Sequence, residues 1–288
     1  MEYNYIEVSK DYMPTKGIGY DPNAKIEARL LTIGDIKLLS MITPETQTQI
    51  YKEILRRCCK FTNMSLDELY LADRDFLLFW IRSGSFARAN GFVLSSFECP
   101  YCKHIADIQL QLEAFDLDFA KCMTKTIKLC NVDVTFTLPK INDKLVSLKD
   151  KDIENIINYT DLMSTFKSVQ ECAKFLLTLD GFTYLKFVNA LRHFKCGIKD
   201  EVTFSCPKCA RQIKLNLPLK ESDLMPRIPI EDILQLIVSI CKYCNFQIND
   251  DMIYVEVELM RTIVENMIKE EQKAYESANG FETLTNYR

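Results

Sequence analysis

The chain has 288 residues, 48% of them hydrophobic and 26% charged, with a formal net charge of −4 and a pI near 5.5. That is enough apolar material for two modest domains or one large one, while only 8 glycines disfavour glycine-rich phosphate loops. Charges of both signs are interspersed, so no broad basic surface for nucleic acid is expected; no apolar run is long enough to cross a membrane, and Met1 to Lys10 lacks the basic start and apolar centre of a secretory signal.

Residues 1–26 read as an extended leader, with turn chemistry at Met13-Pro14 and Gly17-Ile18-Gly19. Residues 27–90 read as a helical segment. Thr32 and Asp35 have the spacing of an N-terminal cap, and Ser65 and Glu68 repeat it. Thr43-Pro44-Glu45 starts a helix with proline at its first position; behind it Ile50, Ile54, Leu55 and Cys58 share a side. Asp73 opens an apolar helix through Phe76 to Ile81 that ends near Gly84, and Asp73-Arg74-Asp75 reads as a helix start with surface charges.

From Phe92 the period changes to two. Strands are expected at Ile105–Leu112, Thr126–Leu129, Val132–Leu138 and Leu145–Leu148. Helical periodicity returns at Asp152–Tyr159, Val169–Leu179 and Phe182–Phe194, the last with Leu185, Val188, Leu191 and Phe194 on one face. Strands follow at Val202–Phe204 and Ile213–Leu217. After Pro226 and Pro229 come an apolar helix, Ile233–Cys244, and a long helix from Asp250 to about Glu276 carrying Val255, Leu259, Ile263, Met267 and Ile268. Asp250-Asp251 reads as its cap.

Two turns match closely. Phe97-Glu98-Cys99-Pro100-Tyr101-Cys102 and Phe204-Ser205-Cys206-Pro207-Lys208-Cys209 share a Phe two residues before the first Cys, a Pro after it and a following strand. Two thiolates three residues apart grip one side of a tetrahedral ion, and a second such turn supplies the other. Thiolates suit zinc, and a closed four-cysteine site leaves no position open for substrate. Cys99, Cys102, Cys206 and Cys209 are therefore read as ligands of one structural Zn2+. The stretch between the two turns is long for a zinc ribbon, so the ion would clamp the root of an insertion.

The expected fold is α+β. It comprises an N-terminal helical segment, a split four-cysteine zinc-ribbon-like β unit (91–112 and 201–220) around an inserted α+β domain (113–200), C-terminal helices (227–278) and a flexible tail (279–288).

Twelve cysteines occur in all, and without a secretion signal a reducing compartment is the default. Cys241 and Cys244 repeat the Cys-x-x-Cys spacing inside a helical pattern without a proline, so they read as small hydrophobes; a second metal or redox site is the alternative. Cys58, Cys59, Cys122, Cys130, Cys172 and Cys196 read as packing residues. The two histidines, His104 and His193, read as solvent-facing and structural respectively. No triad order, phosphate loop, zinc-protease helix or dinucleotide fingerprint is present, and no catalytic residue or small-molecule substrate is expected.

The order of features resembles the baseplate hub and hub-assembly proteins of T-even-type contractile-tailed bacteriophages. The residues that carry it are the leader Pro14–Tyr20, Arg29-Leu30-Leu31-Thr32 with Asp35, and Asp73-Arg74-x-x-Leu77 leading to an Arg82-Ser83-Gly84 turn. The split cysteine turns, Leu138-Pro139, Asp180-Gly181 and the segment from Lys242 to Asp251 complete it. Glycine is common after the second Cys of such turns, where Lys103 and Ala210 stand, and Leu224-Met225-Pro226 replaces a more aromatic run. The resemblance implies a non-enzymatic tail protein, a component or assembly factor of the baseplate hub. Its partners would be hub, tube or tape-measure proteins, in the host cytoplasm during assembly and in the virion baseplate. A zinc-ribbon nucleic-acid regulator using Lys103, Lys208 and Arg211, and an enzyme with an unfamiliar site, are the alternatives. The stripe Val255, Leu259, Ile263 and Met267 is either a docking face or ordinary packing within the chain.

Overall fold

The computed structural model describes residues 3–87, 92–110, 114–217 and 219–285. Leu112, the ends of the expected segments at 90–91 and 112–113, and the last three residues of the tail lie outside them.

The N-terminal and C-terminal parts build one body. Strands β1 (Ile6–Glu7), β2 (Lys25–Ala28) and β3 (Cys59–Thr62) form an antiparallel sheet in that order. Around it lie helices α1 (Ile33–Leu39), α2 (Gln47–Cys58), α3 (Leu71–Ser85), α8 (Ile230–Cys244) and α9 (Tyr254–Thr285). Their shared core includes Ile26, Leu31, Ile36, Ile54, Leu78, Ile81, Ile233, Ile240, Val257 and Val264. The leader belongs to this body, because Met13 and Thr15 are fully buried. Thr32 and Asp35 make a complete capping box at the start of α1, and Asp35 also receives the Arg29 guanidinium at 2.7 Å. Asp250 does not cap α9; its backbone oxygen accepts from Gly34 N at 2.9 Å and its carboxylate pairs with Lys37, stitching the turn before α9 to α1.

A second region follows α3. Strands β4 (Phe92–Glu98) and β5 (Ile105–Leu110) form a hairpin. A second sheet has β6 (Phe115–Asp118) and β10 (Gln212–Asn216) on either side of β9 (Gly197–Ser205). Phe79 of α3 packs with Leu110, Phe115 and Val202, joining body, hairpin and sheet. The chain leaves this sheet at Asp118 and re-enters at Gly197, and those two residues are register partners.

Between them sits a unit with its own core: hairpin β7 (Thr124–Leu129) and β8 (Val132–Thr137), with α4 (Lys151–Asn158), α5 (Leu162–Phe166), α6 (Val169–Thr178) and α7 (Gly181–Phe194). Val134, Phe136, Ile156, Leu162, Leu176, Phe187 and Leu191 fill it. The unit is strapped to the body by Leu71 N→Pro139 O and Ile141 N→Leu69 O, both 2.9 Å, and by Ala120 N→Pro14 O, 2.8 Å.

Several expectations are corrected. Leu145–Leu148 is not a strand; its backbone is satisfied by side chains of α4, with Val146 N→Asn158 Oδ1 2.7 Å and Asn158 Nδ2→Val146 O 2.9 Å. Leu185 is 61% exposed, because the i+3 series from Leu185 to Phe194 drifts around the helix until its ends oppose each other; the buried face is Phe187, Leu191 and Phe194. Gly84 is not a turn residue but lies within α3, where a Cβ would stand 2.6 Å from Leu30 Cδ2. Cys130 is exposed, in the β7–β8 turn with φ 54°, rather than packed. Asp73 and Arg74 are buried, not surface charges: Asp73 accepts from Thr15 N, Thr15 Oγ1 and Tyr20 Oη, and Arg74 pairs with Asp75 and Glu221.

Candidate metal centre

The two cysteine turns are superimposable in their hydrogen bonding. Cys99 N donates to His104 O at 2.9 Å and Lys103 N to Cys99 O at 3.0 Å; Cys206 N donates to Arg211 O at 3.0 Å and Ala210 N to Cys206 O at 2.9 Å. Each turn closes only if the residue after its second Cys is left-handed, and Lys103 (φ 57°) and Ala210 (φ 56°) are. These are the two positions where the sequence departs from the usual glycine.

The flanking strands bring the turns face to face. β4–β5 carries the first and β9–β10 the second, and Phe97 meets Phe204 edge-on at 5.3 Å. Ile213 closes the small apolar pocket behind the sulfurs. Arg211 lies over the Tyr101 ring, 5.2 Å from its centroid, tying one turn to the other from outside.

All four Sγ atoms lie within 4.8 Å of one another. The cross-turn pairs are Cys99–Cys209 at 3.8 Å and Cys102–Cys206 at 3.7 Å. These are too long for disulfides and close to the roughly 3.8 Å edge of a thiolate tetrahedron around zinc, given a Zn–S bond of about 2.3 Å. Cys99 and Cys206 are buried, Cys102 and Cys209 half-buried. The group could hold a metal ion.

The four thiols perturb one another. Cys206 is drawn down to about 6, chiefly by the backbone N–H of Cys209 and then, against burial, by that of Lys208. At Cys102 the largest influence, the His104 backbone N–H, pulls downward, yet burial and the three neighbouring thiols push it up to about 11. Four sulfurs this close cannot all carry charge without a cation among them; one bound divalent ion removes that conflict.

Among the described residues no other group of histidine, cysteine or acid side chains has such geometry. His104 is half-buried and serves through its backbone; His193 is exposed on α7. Cys241 and Cys244 are half-buried on α8, and Cys244 packs against the body's core.

One feature had no signal in the sequence. A cleft of about 740 Å³ opens between α3, α4, α7 and the start of β9, away from the four clustered cysteines. Its lining comes from five separate stretches of chain, and no local motif marks it.

A family model described as T4 bacteriophage base plate protein matches residues 9–217, a span that includes both cysteine turns and stops before α8 and α9. No protein with a curated description and no solved structure matches. The family points to a structural, non-enzymatic part of a phage baseplate. Among the described residues no helix is long and apolar enough to cross a membrane.

Proposed function

Because the chain belongs to the T4 bacteriophage base plate protein family, we propose that it is a component or assembly factor of the baseplate hub that works by protein–protein binding. The family match across both cysteine turns carries this reading. Cys99, Cys102, Cys206 and Cys209 hold one structural Zn2+, and the closed ligand set leaves it no substrate position. In this reading the two halves of a split ribbon, 91–112 and 201–220, clamp the root of the inserted domain 113–200.

Binding faces are supplied by the C-terminal helices. On α9, Val257 and Val264 point into the core, whereas Leu259 and Ile263 are 57% and 58% exposed and Met267 is 38% exposed. Among the described residues the stripe Leu259, Ile263, Met267 thus packs into no core cluster, which favours docking over internal packing. Partners are hub, tube or tape-measure proteins.

The alternatives lose ground on particular contacts. Around the sulfurs Lys103 pairs with Glu98 and Arg211 is stacked on Tyr101, so of the three basic residues there only the exposed Lys208 is without such a contact among the described residues, a small footprint for nucleic acid. The cleft could suit an enzyme, but no histidine lines it, and burial pushes the Cys196 thiol there up to about 12, out of nucleophile range.

Mass spectrometry of purified particles and of infected-cell lysates tests the assignment. Fixed stoichiometry in the particle marks a structural part, and presence only in assembly intermediates marks an assembly factor. Absence from both would overturn it.

A further inference from the structure

The cleft beside α7 has an unusual floor. Lys195 follows α7 and its Nζ points inward, donating to Asn155 Oδ1 at 2.8 Å and lying 4.4 Å from the centroid of the Tyr159 ring. An ammonium has three donors, and a neutral amide with a ring face does not balance its charge. Among the described residues Lys195 forms no ion pair with a carboxylate.

The acids of the cleft are already committed or lie at its mouth. Arg74 holds both Asp75 and Glu221, and Lys199 lies 3.5 Å from Asp118. Asp152 and Asp200 are exposed and act on Lys195 only through space. Burial accordingly holds the Lys195 ammonium below the usual lysine range. The unit that carries α7 is strapped to the body by its backbone bonds to Leu71, Leu69 and Pro14.

We infer that this cleft receives a carboxylate carried on an apolar segment of a partner protein, with Lys195 as its counter-ion. The charge favours one carboxylate over phosphate: of the basic residues lining the cleft, Arg74 is held by Asp75 and Glu221, Lys199 lies beside Asp118, and Arg192 and Lys220 are exposed at the mouth, so the one inward ammonium without a carboxylate, that of Lys195, matches a monoanion better than a dianion. The size favours a chain segment over a free ion, since about 740 Å³ is in the range that encloses a drug-sized ligand. Ala72, Val188, Ile198 and Leu219, all half-buried, supply apolar wall. The baseplate reading enters only in making the partner a protein; the preference for a carboxylate is testable on this chain alone, so the two can fail separately.

The test uses the full chain with its lysines carrying 13C-methyl groups, the Lys195 resonance being identified by its loss in Lys195→Gln. Four probes are titrated: acetyl-Leu-Leu with a free carboxylate, acetyl-Leu-Asp-Leu amide, acetyl-Leu-Leu amide and inorganic phosphate. One or both carboxylate probes should move the Lys195 resonance, and which one does so distinguishes a chain terminus from an acidic side chain. Lys195→Gln should weaken that binding by tenfold or more, read from the backbone amides of α4 and α7, and Lys195→Arg should retain it. No response to either carboxylate probe, an equal response to the amide or to phosphate, or unchanged binding in a folded Lys195→Gln chain would overturn the inference.

Discussion

Replacing Cys99, 1% exposed at the centre of the sulfur cluster, with serine removes one of the four proposed ligands without changing the shape of its turn. The ion links Cys102 to Cys206 and so closes a loop of about 100 residues, for which the chain-entropy model gives about 4.7 kcal/mol. Treated instead as a ligand of the folded state present at about a thousand times its dissociation constant, zinc contributes about 4.1 kcal/mol. The estimates converge near 4 kcal/mol, well below the 10–16 kcal/mol typical of zinc-finger peptides, because the turns here also rest on strand pairing and on the Phe97–Phe204 contact. At roughly 2–4 °C per kcal/mol for a chain of this size, Cys99→Ser should lower the melting midpoint by roughly 8–16 °C. It should also take zinc from one equivalent to near none after dialysis against a chelator. Calorimetry and elemental analysis on the same samples read both, with Cys241→Ser as a control that changes neither. A Cys99→Ser chain that keeps one zinc, or a native chain whose midpoint ignores chelation, would refute the reasoning.

Other contacts give sharper contrasts. Asp73→Ala strands Thr15 N, Thr15 Oγ1 and Tyr20 Oη and should cost about 3–5 kcal/mol in urea unfolding, with Asp73→Asn costing less. Burial raises the Asp73 pKa against the pull of its donors, so the folded state holds the proton more tightly than the unfolded one; its share of the stability should fall as pH rises from the ordinary carboxylate value to the raised one, and Asp73→Asn should flatten that slope. Arg29→Met leaves the buried Asp35 carboxylate without the guanidinium at 2.7 Å and should cost about 3–5 kcal/mol by the same assay. On α9, Ile263→Asp should leave the melting midpoint unchanged and abolish capture of hub proteins, whereas Val264→Asp, at a position 2% exposed, should prevent folding.

The clustering of the four cysteines was legible because its signal is local: each turn is specified within six residues, and four-coordination is the reason to expect the two turns to meet. The start of α1 was legible in its Thr32 cap, but Ser65 caps only a 3-10 turn, Leu66–Glu68, and Thr43-Pro44-Glu45 does not open α2, which begins at Gln47, just as Asp250 does not open α9. What stayed hidden depends on elements distant in sequence. Asp73 reads as an ordinary helix start until the leader folds back and supplies three donors from Thr15 and Tyr20. Lys195 lies just past the helix expected at Phe182–Phe194 and carries no local signal; only the placement of α4 beside it sets its ammonium on Asn155 rather than on a carboxylate. Leu185 failed for a different reason, since equal spacing by three does not hold one face of a helix over three turns.

The departures from glycine at Lys103 and Ala210 also acquire an energetic meaning. Both residues are left-handed, a conformation that costs an ordinary L-residue about 1–2 kcal/mol. Glycine would avoid that cost but lose about 0.5–1 kcal/mol to the greater freedom of the unfolded chain. Ala210 is exposed, so no packing contact is forfeited. Ala210→Gly should therefore stabilise the chain by about 0.5–1 kcal/mol at saturating zinc. If the strain resides in the turn that presents Cys206 and Cys209, the same substitution should tighten zinc binding by a matching factor of about two to five. A competition titration with a chelator measures it. A weaker affinity in Ala210→Gly would mean that the alanine holds the turn ready for the ion, and that the strain assigned to it here is not present.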